Sequence, residues 1–345
     1  MGVVAIIGAG MMGSAMAMPL ADNGHKVRLV GTHLDREIID RVRSDNYHPT
    51  LKRYLPGGVI PDHVENISVA VEGADLIICG VSSFGVDWFC EHVIPQLPSG
   101  VPVLAVTKGL AEGQNGALDT FPHVFASYLK PGQKISFNAI GGPCTSYELA
   151  DRRHSHVYFC GSDQGVLDHL RSLLTTDYYH ISISTDVIGI ESAVALKNAY
   201  ALAVTLAVGQ QERDHGEGCQ LAYNPQAALF GQSVREMSLL LKMMGGAPES
   251  LIAGIADLYV TIFGGRTRLL GTLLGRGLSF AEAMERLAGV TLESVAITNR
   301  IAKAVRVRAA KGEIELSKLP LLMHIDEIIN QSAEVNIPWH MFTNY

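Results

Sequence analysis

Val3-Val4-Ala5-Ile6-Ile7-Gly8-Ala9-Gly10-Met11-Met12-Gly13 is the stretch that decides how the first half of this chain folds. An unbroken apolar run reads as a strand covered on both faces. Glycines at 8, 10 and 13 follow it at once, and a helical pattern then continues through Ala15, Ala17 and Leu20. Strand, glycine-rich turn and helix in that order form a dinucleotide-binding fingerprint. Gly8 permits the tight turn, Gly10 lets a pyrophosphate approach the backbone, and Gly13 allows close helix packing. The free N–H groups of the first helical turn take the phosphate charge. A tight strand-to-helix turn without a ligand is the plainer alternative.

Outward from this stretch, short apolar runs bounded by Gly and Pro alternate with helical patterns as far as Thr185, the signature of βαβ units on a parallel sheet. The expected strands are Val3–Ile7, Lys26–Val30, Leu76–Val81, Val101–Val106, Lys134–Ile140, His156–Cys160 and Tyr178–Ser182. His48–Pro61, rich in Pro and Gly, reads as an ordered surface loop. After Asp186 the strand signals stop, and helices are expected over Ser192–Gly209, Pro225–Gly245, Leu292–Lys311 and Leu321–Asn330, with a glycine-rich passage from Gly254 to Gly277. Residues 1–185 are therefore expected to form a dinucleotide-binding domain and residues 186–345 a helical substrate-binding and catalytic domain.

Composition narrows the partners. With 345 residues, 48% apolar and 18% charged, the chain is long and apolar enough for two folded domains. A net charge of −7, with basic residues scattered, provides no stripe for nucleic acid. Five cysteines without CxxC spacing argue against a disulfide or zinc scaffold and fit a reducing, cytoplasmic compartment. The apolar start lacks a basic flank and turns glycine-rich at Gly8, so it does not read as a signal peptide. Thirteen histidines show no HExxH or similar ligand spacing, so no catalytic metal is expected.

The second strand carries no acid at its end. Thr32 and His33 intervene before Asp35 and Arg36. Asp35 could reach a ribose hydroxyl, His33 and Arg36 could face a 2′-phosphate, or all three could be solvated, so NAD and NADP both remain open.

Lys197 and Asn198 stand in the middle of a helix, Ser192–Gly209, that is apolar on nearly every side. A buried ammonium costs several kcal/mol unless it is paired, and a lysine with a shifted proton affinity can act as an acid or base. The alternative is a lysine that snorkels to the surface. Asp257, in an apolar turn with Thr261 on the same helical face, is the candidate partner, unless it merely caps a helix. Gly264, Gly265, Arg266 and Arg268 then suit a carboxylate or phosphate, or else form a charge pair on a helix end. Lys108 falls just past a strand's carboxyl end, where ligands of open sheets bind. Cys144 follows another strand, but no His–Asp set lies nearby in sequence, and it reads as a small buried thiol.

Several motifs run in order along nearly the whole chain: GAGMMG at Gly8–Gly13, RYLPG at Arg53–Gly57, TKGL at Thr107–Leu110 and GGPC at Gly141–Cys144 with Glu148-Leu149. ALKN at Ala195–Asn198, ADLYVT at Ala256–Thr261, and RTR with LLGRG over Arg266–Gly277 follow. Together they resemble the NAD(P)-dependent glycerol-3-phosphate dehydrogenases. The resemblance implies an α/β chain, with an N-terminal Rossmann-type doubly wound sheet followed by an all-helical C-terminal domain. It implies interconversion of sn-glycerol 3-phosphate and dihydroxyacetone phosphate in an interdomain cleft. Lys197 would donate and accept the proton, aided by Asp257, Thr261 and Lys108. Lys108 and Asn198 would lie near substrate oxygens, with Arg266 and Thr267 toward the phosphate. NAD or NADP would be held by Gly8, Gly10, Met11, Met12, Gly13, Thr32, His33, Arg36, Ser82, Arg266 and Glu293. A homodimer with no membrane span is expected.

Three features depart from the family pattern: Thr267 where Asn is usual, a shortened segment between Thr261 and Arg266, and Tyr147 where Lys is common. A related dehydrogenase acting on another short polyol phosphate, hydroxy acid or sugar acid is the second reading. A dinucleotide-binding regulator without turnover is a third, against which Lys108, Lys197 and Asp257 count, because a sensor needs only the cofactor site.

Overall fold

In a computed structural model of the protein, residues 1–113 and 116–343 are described, with the backbone alone at 343. Two compact units emerge: Met1–Lys108 with Thr120–Glu191, and Gly109–Asp119 with Ser192–Tyr345. This division departs in two places from a cut after residue 185. Residues 186–191 go with the first unit, although they lead into the long helix Val187–His215. The segment Gly109–Asp119 belongs with the helices. The reason is local: Leu110 is buried in the helical core, and its carbonyl accepts a hydrogen bond from Arg300 Nη1 at 2.7 Å.

The first unit carries β1 (Val3–Ile7), β2 (Lys26–Val30), a small antiparallel ribbon of β3 (Tyr47–His48) and β4 (Arg53–Tyr54), β5 (Ile60–Asp62), β6 (Leu76–Cys79) and β7 (Val103–Ala105). In chain order a second ribbon, β8 (Leu110–Glu112) with β9 (Leu118–Thr120), comes next and lies in the second unit but for Thr120, and the first unit continues with β10 (Phe137–Gly141), β11 (Ser155–Cys160) and β12 (Tyr179–Ser184). The main sheet has eight strands in the order β12-β11-β10-β7-β6-β1-β2-β5. Its neighbours pair in parallel except β10 with β11. The chain turns outward from β1 through β2, then returns to place β6 on the other side of β1. That reversal is the switch point at which open α/β sheets bind ligands.

The strands expected from apolar runs all occur, β1 and β2 with the expected ends and the others with an end shifted. The stretch His48–Pro61, expected to be an irregular loop, instead contains most of the β3–β4 ribbon and the start of β5. Three residues are too short to show a period. Pro61 also disguises β5, and its missing N–H is tolerated because β5 lies at the sheet edge.

In the second unit, Val187–His215 is the central helix, and nearly every residue from Ser192 to Val208 is buried. It is the one helix among the described residues long and apolar enough to cross a membrane, yet 89% of its apolar window is buried inside the protein. The surrounding helices are Tyr223–Met244, Leu251–Thr261, Gly265–Gly275, Phe280–Arg286, Glu293–Ala310 and Pro320–Gln331. From Ser192 onward the unit is helical, and β8 packs against the helix Glu293–Ala310, where the Leu110 carbonyl meets Arg300.

A buried acid ties three of these helices together. Glu236 Oε1 accepts from Gln232 Nε2 at 2.8 Å and the Leu321 N–H at 2.8 Å. Its Oε2 accepts from the Tyr200 hydroxyl at 3.0 Å and the Leu322 N–H at 2.9 Å. Two of these donors are unpaired N–H groups in the first turn of Pro320–Gln331, a setting that favours negative charge. Burial nonetheless pushes the carboxyl up to about 7, against the lowering effect of its donors.

Glu236→Ala is expected to lower unfolding free energy by about 2–4 kcal/mol, since it orphans buried donors. The folded chain holds the Glu236 proton up to about pH 7, while the ordinary value is 4.5. Its contribution is therefore greatest on the acid side and declines as pH rises through that window. Chemical denaturation across that range should show the wild type losing stability relative to Glu236→Gln. A constant difference would contradict the raised value.

Candidate active site

The glycine-rich turn is shaped by close backbone contact. Gly8 has φ +111, and a Cβ there would lie 2.7 Å from the Gly80 carbonyl carbon at the end of β6. A Cβ on Gly13 would meet the Gly8 oxygen at 2.4 Å. Gly10 differs: its φ is −67, and a Cβ would find only the Gly80 oxygen at 3.7 Å, an ordinary contact. The chain itself thus has no packing need for glycine at 10. A bare backbone there, opening the helix Met11–Ala15, fits the cradle of a dinucleotide pyrophosphate.

Two side chains hold this turn from behind. Asp35 Oδ2 accepts from the Ala9 N–H at 3.2 Å, the Thr32 N–H at 2.8 Å and Thr32 Oγ1 at 2.8 Å. That oxygen is bound into the turn, which favours a scaffold role for Asp35 over contact with a ribose. His48 is fully buried; its Nδ1 accepts from the Leu51 N–H at 3.0 Å, so its Nε2 carries the proton and donates to the Ala9 carbonyl at 2.9 Å. Burial lowers the His48 pKa from its ordinary value, keeping the ring neutral. Sequence reasoning missed His48, because nothing in a Pro/Gly-rich stretch marks one histidine as interior.

The other residues expected near the cofactor are placed as follows. Met11 is exposed and Met12 packs partly against the core. The exposed His33 ring lies 5.9 Å from the Trp88 ring. Exposed Arg36 forms an ion pair with Glu65. Ser82 is exposed at the start of the short turn Ser83–Gly85. In the second unit, half-buried Glu293 begins the helix Glu293–Ala310.

Along the carboxyl ends of the sheet, Thr107 Oγ1 donates to the Val81 carbonyl at 2.7 Å. Lys108 Nζ donates to the Gly142 carbonyl at 2.8 Å. The turns after β6, β7 and β10 are thereby tied together, with an ammonium among them. Cys144, half-buried, packs against the apolar core.

In the second unit, the long helix and Leu251–Thr261 touch backbone to backbone: a Cβ on Gly254 would fall 2.4 Å from the Ala193 carbonyl oxygen. One turn further along each helix from that contact lie Lys197 and Asp257. Lys197 Nζ is 3.1 Å from Asp257 Oδ1 and donates to Thr261 Oγ1 at 2.9 Å. The hydroxyl can accept because its own proton goes to the Asp257 carbonyl at 2.7 Å. The side chains are 12% and 3% exposed at Lys197 and Asp257, so the lysine neither snorkels out nor does the aspartate cap a helix end. Asn198, next on the helix, is 9% exposed.

Arg266 and Arg268 do not form one fork. Arg268 Nη1 donates to the Ile262 carbonyl at 2.8 Å and closes the end of the preceding helix. Arg266 is exposed in the first turn of Gly265–Gly275, beside buried Thr267. Among the described residues, no cluster of three or more His, Cys, Asp or Glu could hold a metal.

An open, mostly parallel sheet with this turn at its switch point is the dinucleotide domain of a nicotinamide-dependent oxidoreductase, and that is the class the chain falls in. Family models described as the N-terminus and the C-terminus of NAD-dependent glycerol-3-phosphate dehydrogenase match residues 3–166 and 186–339. The chain belongs to the NAD-dependent glycerol-3-phosphate dehydrogenase family. It is similar to the NADP(+)-dependent glycerol-3-phosphate dehydrogenase of Archaeoglobus fulgidus, 35% identical over 83% of each chain. A glycerol-3-phosphate dehydrogenase [NAD(P)+] of Salinibacter ruber is 30% identical over 87% of this chain and 85% of its own. Among solved structures, glycerol-3-phosphate dehydrogenase from Coxiella burnetii superposes with a TM-score of 0.79 at 26% identity, covering 99% of this chain and 98% of that one.

Two glycine replacements separate cradle from scaffold. Gly10→Ala should keep thermal stability within about 1 kcal/mol, because its Cβ has room, yet weaken dinucleotide binding about tenfold or more in a fluorescence titration. Gly13→Ala should destabilise the fold itself by about 1–3 kcal/mol. Equal effects on both properties in the two variants would contradict this assignment.

Proposed function

We propose that this chain interconverts sn-glycerol 3-phosphate and dihydroxyacetone phosphate with NAD or NADP, using Lys197 as the proton donor and acceptor. The reaction and cofactor rest on family membership, which favours them over a hydroxy-acid or sugar-acid dehydrogenase and over a regulator without turnover. The observation that carries the role of Lys197 is the amine held at 3.1 Å by Asp257 and 2.9 Å by Thr261 inside an apolar helix.

When bound, the nicotinamide supplies a hydride to C2 in one direction and accepts it in the other. The turn at Gly8–Gly13, with Thr32, His33, Arg36 and Ser82, would hold the dinucleotide, and Arg266 and Glu293 complete the proposed set. Lys197 Nζ gives a proton to the C2 oxygen as the carbonyl is reduced and takes it back from the hydroxyl in reverse. Asp257 supports the cationic form of that amine, and Thr261 fixes its direction. Lys108 and Asn198 would bind substrate oxygens. Arg266, with Thr267 on the first turn of Gly265–Gly275, suits the phosphate, since free helix N–H groups and a guanidinium both favour a dianion.

Five free thiols support a reducing, cytoplasmic setting. Ile252, Tyr259, Phe263 and Leu269, each more than half exposed, support a homodimer.

Purified protein should oxidise NADH or NADPH when given dihydroxyacetone phosphate, and Lys197→Met should reduce kcat about 10²–10⁴-fold while leaving dinucleotide affinity nearly unchanged. Absence of turnover with both cofactors overturns the substrate assignment. A Lys197→Met variant of near-normal rate overturns the proton role.

A further inference from the structure

Three ion pairs join one face of the helix Arg36–Asp45 to the segment that leaves β5. Positions 36, 40 and 43 recur at helical spacing and so share that face. Asp40 Oδ1 lies 2.9 Å from His63 Nε2, Arg43 Nη2 lies 3.4 Å from Asp62 Oδ1, and Arg36 Nη2 pairs with Glu65 Oε1. The first two pairs sit further along the helix, whereas the third is at its opening turn. β5 runs parallel to β2 with Asp62 opposite Val30, and the Gly31 N–H donates to the Asp62 carbonyl at 2.9 Å. The turn Val64–Asn66, which carries Glu65, therefore emerges at the same carboxyl end of the sheet as residues 32–36, where ligands of open sheets bind.

A cation in the first helical turn opposes the field of the helix N-terminus, so helix stability gives no reason for Arg36 to stand there. Glu37 beside it is the kind of residue that turn favours. The acid that follows β2 is engaged within its own turn, since Asp35 Oδ2 accepts from the Ala9 N–H, the Thr32 N–H and the Thr32 hydroxyl. The Arg36 and Glu65 side chains are 54% and 57% exposed, so a ligand at this corner meets both.

We propose that Glu65 is a positioning residue for Arg36, and through it sets the choice of dinucleotide: its carboxylate holds the guanidinium that a 2′-phosphate needs, which disfavours NADP relative to NAD. This rests on the placing of Arg36 in the dinucleotide set. An exposed ion pair is weak, so a phosphate dianion draws the guanidinium away, but it does so against the carboxylate and beside its negative charge. The ribose hydroxyl of NAD makes no such demand and leaves the pair intact. Specificity is a difference of affinities, and a competing charge sets it as well as an attractive one.

Fluorescence titration of the purified protein with NADPH and with NADH, at one fixed ionic strength, reads the ratio of the two affinities. Glu65→Gln should tighten NADPH relative to NADH about three- to tenfold. Arg36→Met should weaken NADPH relative to NADH about tenfold or more, and adding Glu65→Gln to it should move the ratio by less than about twofold. Asp40→Asn, which removes the neighbouring pair on the same helix face, should leave the wild-type ratio. An unchanged ratio in Glu65→Gln, while Arg36→Met weakens NADPH, overturns the role of Glu65 and leaves Arg36 in the dinucleotide set. An Arg36→Met variant with the wild-type ratio removes Arg36 from that set and the inference with it. A gain that survives in the double variant shows that Glu65 acts without Arg36, and an equal gain in Asp40→Asn traces the effect to helix docking; either result overturns the inference.

Discussion

Backbone contact between two helices at Ala193 and Gly254 is the constraint on which the buried Lys197–Asp257 pair of the second unit rests. With any side chain at 254 the helices must separate, since a Cβ would sit 2.4 Å from a carbonyl oxygen. Their closeness makes the next turns meet, and the residues on those turns are a lysine and an aspartate. An ammonium in so apolar a helix is tolerable because its counter-charge and a hydroxyl acceptor arrive together at hydrogen-bond distance. Packing and electrostatics are therefore one problem here: without the small residue the cation would be buried alone.

The first unit solves a related problem with neutral and anionic supports. Its glycine-rich turn is fixed at Ala9, whose N–H donates to Asp35 and whose carbonyl accepts from His48. Asp35 and the His48 segment lie on either side of the helix Arg36–Asp45 in sequence and converge only because β2 ends beside β1. A preorganised turn of this kind loses little freedom when a ligand binds.

Three buried carboxyls show how surroundings divide the uses of one functional group. Glu236 is saturated with donors and holds helices together; Asp257 is paired with a lysine; Glu191 has neither among the described residues. The first is scaffolding by its bonds, the second is paired with the amine beside it, and burial raises the third to about 8.

Much of this was legible in the amino-acid order. Contiguous apolar runs marked the strands, glycine spacing marked the tight turn after β1, and a lysine in an oily helix marked itself, because each signal lies within one element and follows from local burial or backbone freedom. The partnership of Lys197 with Asp257 was legible from an acid set in an apolar turn with Thr261 on the same helical face. Tertiary structure decided the rest: that Gly109–Asp119 joins the helices, that β5 extends the sheet despite Pro61, that His48 is interior, and that Glu191 has no donor. Those facts depend on which distant segments share a volume, and a side chain's exposure, partners and proton affinity are properties of that volume, to which residues far apart in sequence contribute.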